Sequence, residues 1–540
     1  MITRDKKINF IIFALAAIAL LLLGVNVGIR LGKRTSAVTS VNRSLFYRPD
    51  NKITQTLDLI LSSYVDSVSQ GKLEEDAIAG MLGTLDPHSQ YIPAAAFASA
   101  NEPIEGNFSG IGVQFNMLND TITIINTIPK GPSEKAGILA GDRIILVEGR
   151  TVSGVKMASD EIVKMLKGKT GTKVKVSVLR RDEPDLLEFE ITRDKIPLFS
   201  VDAAYMLTPE TGYVKVHTFS KTTIEEFAKA LEQLKERGMR KLVLDLRNNA
   251  GGLIDPAIGM AELFLPEGKP IVYTEGNERP RTDYRSKTRD TTYVRTELAL
   301  LINESSASAS EIVSGALQDN DRSVIIGRRS FGKGLVQEQY PLIDGSAVRL
   351  TVARYYTPTG RSIQKPYNDK KQYFDDLNER YRHGEMEQAD SIRFNDSLKY
   401  VTPEGKTVYG GGGIMPDIFM PLDTSFYSRY YERVMRRGLV YRFAFEYTDR
   451  RRKELAASPD DVALEKKLRS DGVMEQFIRY AERQSVARNA GELKISGAAI
   501  EDMLIAYIVR NIFDETAFYR IINRQDTMIQ KAVELLTENR

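Results

Sequence analysis

The chain has 540 residues, a formal net charge of +3 and no cysteine. Its length asks for several cores, roughly three or four domains, and the near-balance of charge excludes the basic stripe of a nucleic-acid binder. The missing cysteines exclude disulfides, thiolate metal sites and a cysteine nucleophile together, and three histidines (His88, His217, His383) leave a histidine triad few candidates.

After Arg4, Lys6 and Lys7, the stretch INFIIFALAAIALLLLGVNVGI (8–29) is long enough to cross a hydrocarbon core of about 30 Å as a helix. No small-residue cleavage site follows it, so residues 1–34 read as a cytoplasmic stub and an uncleaved signal anchor. Arg30, Lys33 and Arg34 match the positive charges before the stretch, which leaves its orientation open. Residues 35–104 read as a polar spacer and a small helical segment, with Ile53, Leu57, Leu61, Ile78 and Leu82 at helical spacing. The segment closes in the turn LDPHSQYIP, where His88 reads as a polar turn residue. Residues 105–193 carry short β-branched runs such as GIGVQF, DTITIINTI and KVKVSVLRR, with one helix near Ser159 to Lys167. From 194 to 421 strands alternate with helices, the pattern of an α/β sheet core. A polar stretch, Lys365 to Tyr409, reads as an insertion or long loop within that core. Residues 422–540 read as a helical extension.

Two places in the core could carry chemistry. NESSASASEIVSGALQD, from Asn303 to Asp319, crowds serines between a buried strand and a helix. Ser308 and Glu311 have the spacing of a capping box, so the serines could merely start the helix. A serine at such a turn is equally placed for nucleophilic attack, beside free N–H groups and the positive end of the helix dipole. A serine needs a base, and Lys333, between Gly332 and Gly334 in RRSFGKGLVQ, is the available one. To act near neutral pH, Lys333 needs a pKa lowered by about three units, which burial can supply. A solvated loop lysine is the plainer alternative, and the spacing does not fit a phosphate-binding loop. The glycines of LDLRNNAGG could turn the chain or present N–H groups to an oxyanion. Gly110 and Gly112 in SGIGV could bend a strand or form a nest for a terminal carboxylate.

SASASEIVSGALQD followed by FGKGLVQ resembles the carboxyl-terminal processing peptidases, or tail-specific proteases. LDLRNNAGG, YYTPTGRSIQ and GGGIMPDI are similar to further blocks of that family, in the same order, and FSGIGVQF with PSEKAGILAGDRI looks like its PDZ module. The resemblance covers about residues 50 to 421. It implies an α/β protease core with a mixed sheet and helices, a PDZ-like β-rich domain (105–193), a helical N-terminal segment and a helical C-terminal extension. It assigns Ser308 as nucleophile and Lys333 as general base, with Gln337 orienting the lysine and Asp319 near the site. Backbone N–H groups of Ala309 and of Gly251 or, preferably, Gly252 would form the oxyanion hole. Capping would then pass to Ser306 or Ser310. Gly110, Ile111, Gly112 and Val113 would bind the C-terminal carboxylate of a protein or peptide substrate with an apolar tail.

No metal or other cofactor is implied. The resemblance places the catalytic part in the periplasm, on a single-pass protein of the bacterial inner membrane held by its N-terminal helix. A homo-oligomer or a regulatory adaptor is left open, and a non-catalytic PDZ scaffold or chaperone on a protease-derived core is the alternative. The 365–409 insertion and the helical extension lie outside the family pattern.

Overall fold

The Leu-Val-Leu run inside KLVLDL has no side to give to water, which suits a strand covered on both faces. A computed structural model, which describes residues 51–538 apart from 119, 182, 393 and 394, places it as Lys241–Asp245 in a six-stranded sheet. The order is Val201–Met206, Thr211–Val216, Lys241–Asp245, Glu297–Ile302, Val324–Gly327, Ile418–Phe419. The first pair is antiparallel and the others are parallel. Leu242 and Leu244 pack with apolar residues of the helices Thr223–Glu236, Ile254–Glu262 and Ala309–Asp319. Val243, of opposite parity, packs with Met528, Ile529, Ala532 and Leu536 of the helix Thr527–Glu538. The sheet is therefore sandwiched, and its far cover comes from the C-terminal region.

A second, antiparallel sheet joins Gln90–Ile92, Leu335–Pro341, Ala347–Tyr356, Pro270–Glu275 and Thr282–Arg285. It receives the chain just after Lys333. The β-rich module has a six-stranded antiparallel sheet, with Val113–Leu118 at one edge, and the helices Pro132–Ala136 and Ser159–Leu166. Its core gathers Ile122, Ile124, Ile144, Val174 and Val176 with Ile162 and Leu166. Asn107–Gly110 pairs antiparallel with Asp194–Pro197 where the chain enters and leaves the module.

Helices from Arg429–Arg436 to Glu515–Ile522 form a separate core around Ala490–Arg510. The mixed-sheet core, the β-rich module and the helical C-terminal region are those the sequence leads one to expect. The 365–409 stretch is more ordered than a long loop. It holds the helix Lys370–Arg382 and the paired strands Lys399–Val401 and Thr407–Tyr409. The contact pattern divides the chain into Met1–Met81 and Leu82–Arg540. The described part of the first unit is helical, comprising Lys52–Ser63 and most of Gln70–Gly83.

The expected placement as a single-pass inner-membrane protein needs correction. Among the described residues no helix is long and apolar enough to cross a membrane. The longest, Ala490–Arg510, has the length, but Glu492, Lys494, Glu501, Asp502 and Arg510 interrupt it. Its apolar residues pack against other helices. The apolar stretch 8–29 lies outside the described residues.

Candidate active site

The serine-rich segment folds as a turn between the strand Glu297–Ile302 and the helix Ala309–Asp319. Ser308 is the residue before the helix, with φ 55° and ψ −112°. A non-glycine residue in such a conformation costs about 1–3 kcal/mol and has to be held by its surroundings. The neighbouring serines do not cap the helix; they tie this turn to the glycine-rich one. Ser306 Oγ donates to the Leu246 carbonyl at 2.8 Å, and Ser310 Oγ to the Asn249 carbonyl at 2.9 Å. Ala307 N–H reaches the same Asn249 carbonyl at 3.0 Å. Capping thus does not pass to Ser306 or Ser310: Ser308 is the N-cap residue, its N–H held by the Glu311 carboxylate at 2.8 Å, and the other two hydroxyls are engaged with the glycine-rich turn.

Glu311 organises the site to a degree the capping-box spacing only hinted at. Its fully buried carboxylate accepts from Ser308 N–H (2.8 Å), Lys333 N–H (2.9 Å), Gly332 N–H (2.7 Å) and Ser330 Oγ (2.5 Å). Burial pushes this carboxyl up to about 7, against the hydrogen bonds, which favour its charge. The Tyr355 hydroxyl makes a second link. It lies 2.6 Å from the Lys333 carbonyl and 3.0 Å from the Ser308 carbonyl, so one proton is shared between them. Ser308 and Lys333 are thereby brought to one place through their main chains.

Burial lowers the pKa of Lys333, helped by Arg349 and opposed by Glu311 and Asp86. Its Nζ donates to Gln337 Oε1 at 3.0 Å, and Gln337 Nε2 donates to the His88 carbonyl at 2.8 Å.

Gly251 and Gly252 both have positive φ, at 99° and 148°. A Cβ on Gly251 would lie 2.7 Å from the Ala307 carbonyl oxygen and from the Ser308 Cβ, and one on Gly252 only 2.0 Å from the Phe219 carbonyl oxygen. Gly251 N–H is engaged by Asn249 Oδ1 at 2.8 Å. The bridge to Phe219 uses the Gly251 carbonyl and Leu253 N–H, leaving Gly252 N–H outside it. Ala309 is the first helical residue, whose N–H has no carbonyl within its own helix.

Asp319 is not brought to this place. It ends the 11-residue helix that starts after Ser308, about 16 Å along its axis. There its buried carboxylate pairs with Arg361 at 2.6 Å and accepts from Thr359 Oγ1 at 2.7 Å. This is a structural tie to the PTGRSIQ segment.

The sequence matches Peptidase family S41 over residues 210–369, a PDZ domain over 109–191 and the "Activating protease CtpB N-terminal domain" over 31–96. Residues 430–514 match a family of unknown function. A carboxy-terminal-processing protease of Bartonella bacilliformis is 37% identical over 335 residues, covering 61% of this chain and 75% of that protein. The chain belongs to the carboxy-terminal-processing protease family. It is a serine peptidase with a PDZ domain.

A Staphylococcus aureus relative named "Probable CtpA-like serine protease" is 36% identical over 314 residues, covering 58% of this chain and 62% of that protein. Among solved structures, a photosystem II D1 C-terminal processing protease is similar at 27% identity and a TM-score of 0.35, covering 68% of this chain and 92% of that one.

In the PDZ domain of this carboxy-terminal-processing protease, Gly110 ends a strand, Ile111 is buried in the core and Gly112 has φ 71°. The Ile111 carbonyl is held by Ser133, from N–H at 3.0 Å and from Oγ at 2.6 Å. Val113 begins the edge strand. Sequence reasoning missed the central part of Glu311 and the parts of Tyr355 and His88. Their partners lie on segments far apart in the chain, so spacing gave no signal beyond the quoted motifs.

Proposed function

We propose that this chain is an endopeptidase that cleaves peptide bonds with a Ser308–Lys333 dyad and recruits substrates by their apolar C-terminal tails. The observation that carries the reading is the double link of Ser308 to Lys333 through Glu311 and Tyr355. The lysine that shares this place has its charge disfavoured by burial.

In this mechanism neutral Lys333 takes the Ser308 hydroxyl proton as the oxygen attacks the scissile carbonyl. Ala309 N–H and Gly252 N–H receive the developing oxyanion; one such donor is worth about 3 kcal/mol in the transition state. Lys333 then returns the proton to the leaving amine, and a water, activated by the same amine, frees the acyl group. Gln337 holds Nζ between these transfers. The PDZ domain receives the tail as an added strand along the free edge of Val113–Leu118, with the terminal carboxylate at Gly110–Val113.

Mass spectrometry of cleavage products tests this directly. An unfolded substrate with an apolar C-terminus is compared with one ending in charged residues, using wild type, Ser308→Ala and Lys333→Ala, each checked for folding. The expectation is a loss in kcat of about 10⁴-fold or more in both variants, and faster cleavage of the apolar tail by wild type. Cleavage that survives Ser308→Ala sinks the nucleophile; equal rates on both tails sink the tail capture.

A further inference from the structure

The turn Asp86–Ser89 and the insertion helix Lys370–Arg382 meet beside Lys333. Asp86 fixes the turn by accepting from His88 N–H (2.8 Å), Ser89 N–H (2.9 Å) and Ser89 Oγ (2.5 Å). The turn is docked on the second sheet, where Thr351 N–H donates to Ser89 Oγ at 3.1 Å and Gln90 pairs with Arg349. The His88 carbonyl then accepts the Gln337 amide, whose oxygen accepts the lysine amine. On its other side the His88 ring shares a hydrogen bond of 2.7 Å between Nε2 and the Tyr373 hydroxyl.

Tyr373 is a residue of the insertion and is only 2% exposed. Its ring lies edge-on to His88 and to Phe331, two residues before Lys333. The same helix grips the loop that leads to the lysine. Arg380 donates to the Arg329 and Ser330 carbonyls at 2.6 and 3.1 Å, and Lys365, ahead of the helix, places its Nζ 3.9 Å from the centre of the Phe331 ring.

We propose that the Lys365–Tyr409 insertion is part of the catalytic machinery: Tyr373 and His88 are positioning residues that, through Gln337, aim the Lys333 amine at Ser308. This rests on the dyad reading above. The line from Tyr373 runs by a hydrogen bond to the His88 ring, through the covalent frame of His88 to its carbonyl, and by hydrogen bonds through Gln337 to the Lys333 amine, and it draws on three segments distant in sequence. A neutral imidazole suits the arrangement, since a charged one would repel the lysine. Burial, with the Lys333 charge, lowers the His88 pKa to about 4, Asp86 opposing and Lys365 assisting. The charged groups that face Lys333 itself are Arg349, Glu311 and Asp86.

The test uses the full chain and steady-state kinetics on an internally quenched peptide. Tyr373→Phe keeps the ring and removes the hydroxyl; it is expected to lower kcat about tenfold with KM within about twofold, the signature of a misaimed group. Gln337→Ala should lose a similar factor. The double variant should lose little more than either single one, because both break the same line.

His88→Ala should repeat the kcat loss, and His88→Gln, which keeps a hydrogen-bonding tip, should recover most of it. An unchanged kcat in Tyr373→Phe, a loss confined to KM, or losses that multiply in the double variant would overturn the proposal. Lys333→Ala runs alongside: full activity there brings down the dyad, and this inference with it. A dead Lys333→Ala with multiplying losses brings down this inference alone.

Discussion

Among the charges that act on Lys333, Arg349 opposes its protonated form. Burial comes first in lowering the lysine pKa, and the Arg349 charge adds to it. Removing that charge makes the ammonium easier to keep, so the pH at which the amine becomes neutral moves up. Arg349→Gln should therefore shift the acid limb of the kcat/KM profile to higher pH. Activity is lost near neutral pH and recovered in alkali; a limb that stays put or moves down removes Arg349 from the account.

Asp319 calls for the opposite kind of measurement. Its partner Arg361 is fully buried, so Asp319→Ala leaves an unpaired guanidinium, at a cost of about 3–5 kcal/mol. Thermal unfolding should show a large drop, while kcat per titrated active site stays within a few-fold of wild type. A selective collapse of kcat would return Asp319 to the chemistry. In the sequence Ser308, Lys333 and Gln337 stand inside short motifs, so their types and spacing could be read. Glu311 could be read only as a cap, because three of its four donors belong to residues 330–333, reached through a strand and a turn. Asp319 misleads for a related reason: its closeness to Ser308 in the chain becomes the length of a helix in space.

Among the elements, the glycine-rich turn after Lys241–Asp245 is held on every side. Asn248 and Asn303 exchange hydrogen bonds at 2.8 and 2.7 Å, and the serine turn closes over it. A methyl group at Gly251 would meet the Ser308 Cβ and the Ala307 carbonyl oxygen at a positive φ, so Gly251→Ala should cost about 10²-fold or more in kcat and lower thermal stability as well. Wild-type kcat in a folded Gly251→Ala would refute the close approach. Strand–helix alternation made this core legible, since each buried strand is an apolar run and each helix has its own stripe. The insertion was not legible. Its mean character is polar, and Tyr373 stands out only when the turn at His88 is beside it.

Across the whole molecule the helical C-terminal region touches both working parts. Asp449, on the helix Leu439–Leu455, pairs with Arg143 at 3.0 Å and with Arg181 at 3.1 Å, both in the PDZ domain. Asp526 pairs with Arg247 at 2.7 Å, and Arg247 also holds Asp245 at the end of the strand that feeds the glycine turn. Burial works against a charge on Asp245, yet Arg247 and Lys215 keep its carboxyl well below the usual carboxylate range. Asp449→Ala should loosen the PDZ domain without unfolding it, seen as faster amide hydrogen exchange in Arg143–Val147 with the protease sheet unchanged. Equal exchange in both proteins would mean that the contact does not restrain the domain.

The cover of the protease sheet has a further consequence in time. Val243, Ala299, Leu301 and Ile326 are sealed by Met528, Ile529, Ala532 and Leu536. A ribosome makes those four sealing residues long after it has made Ser308 and Lys333. During that interval the nascent chain carries Ser308 and Lys333 on a sheet with one face bare. The sheet is therefore completed only once translation has passed Leu536, and a chain ended before Thr527 would leave Val243, Ala299, Leu301 and Ile326 without their apolar cover.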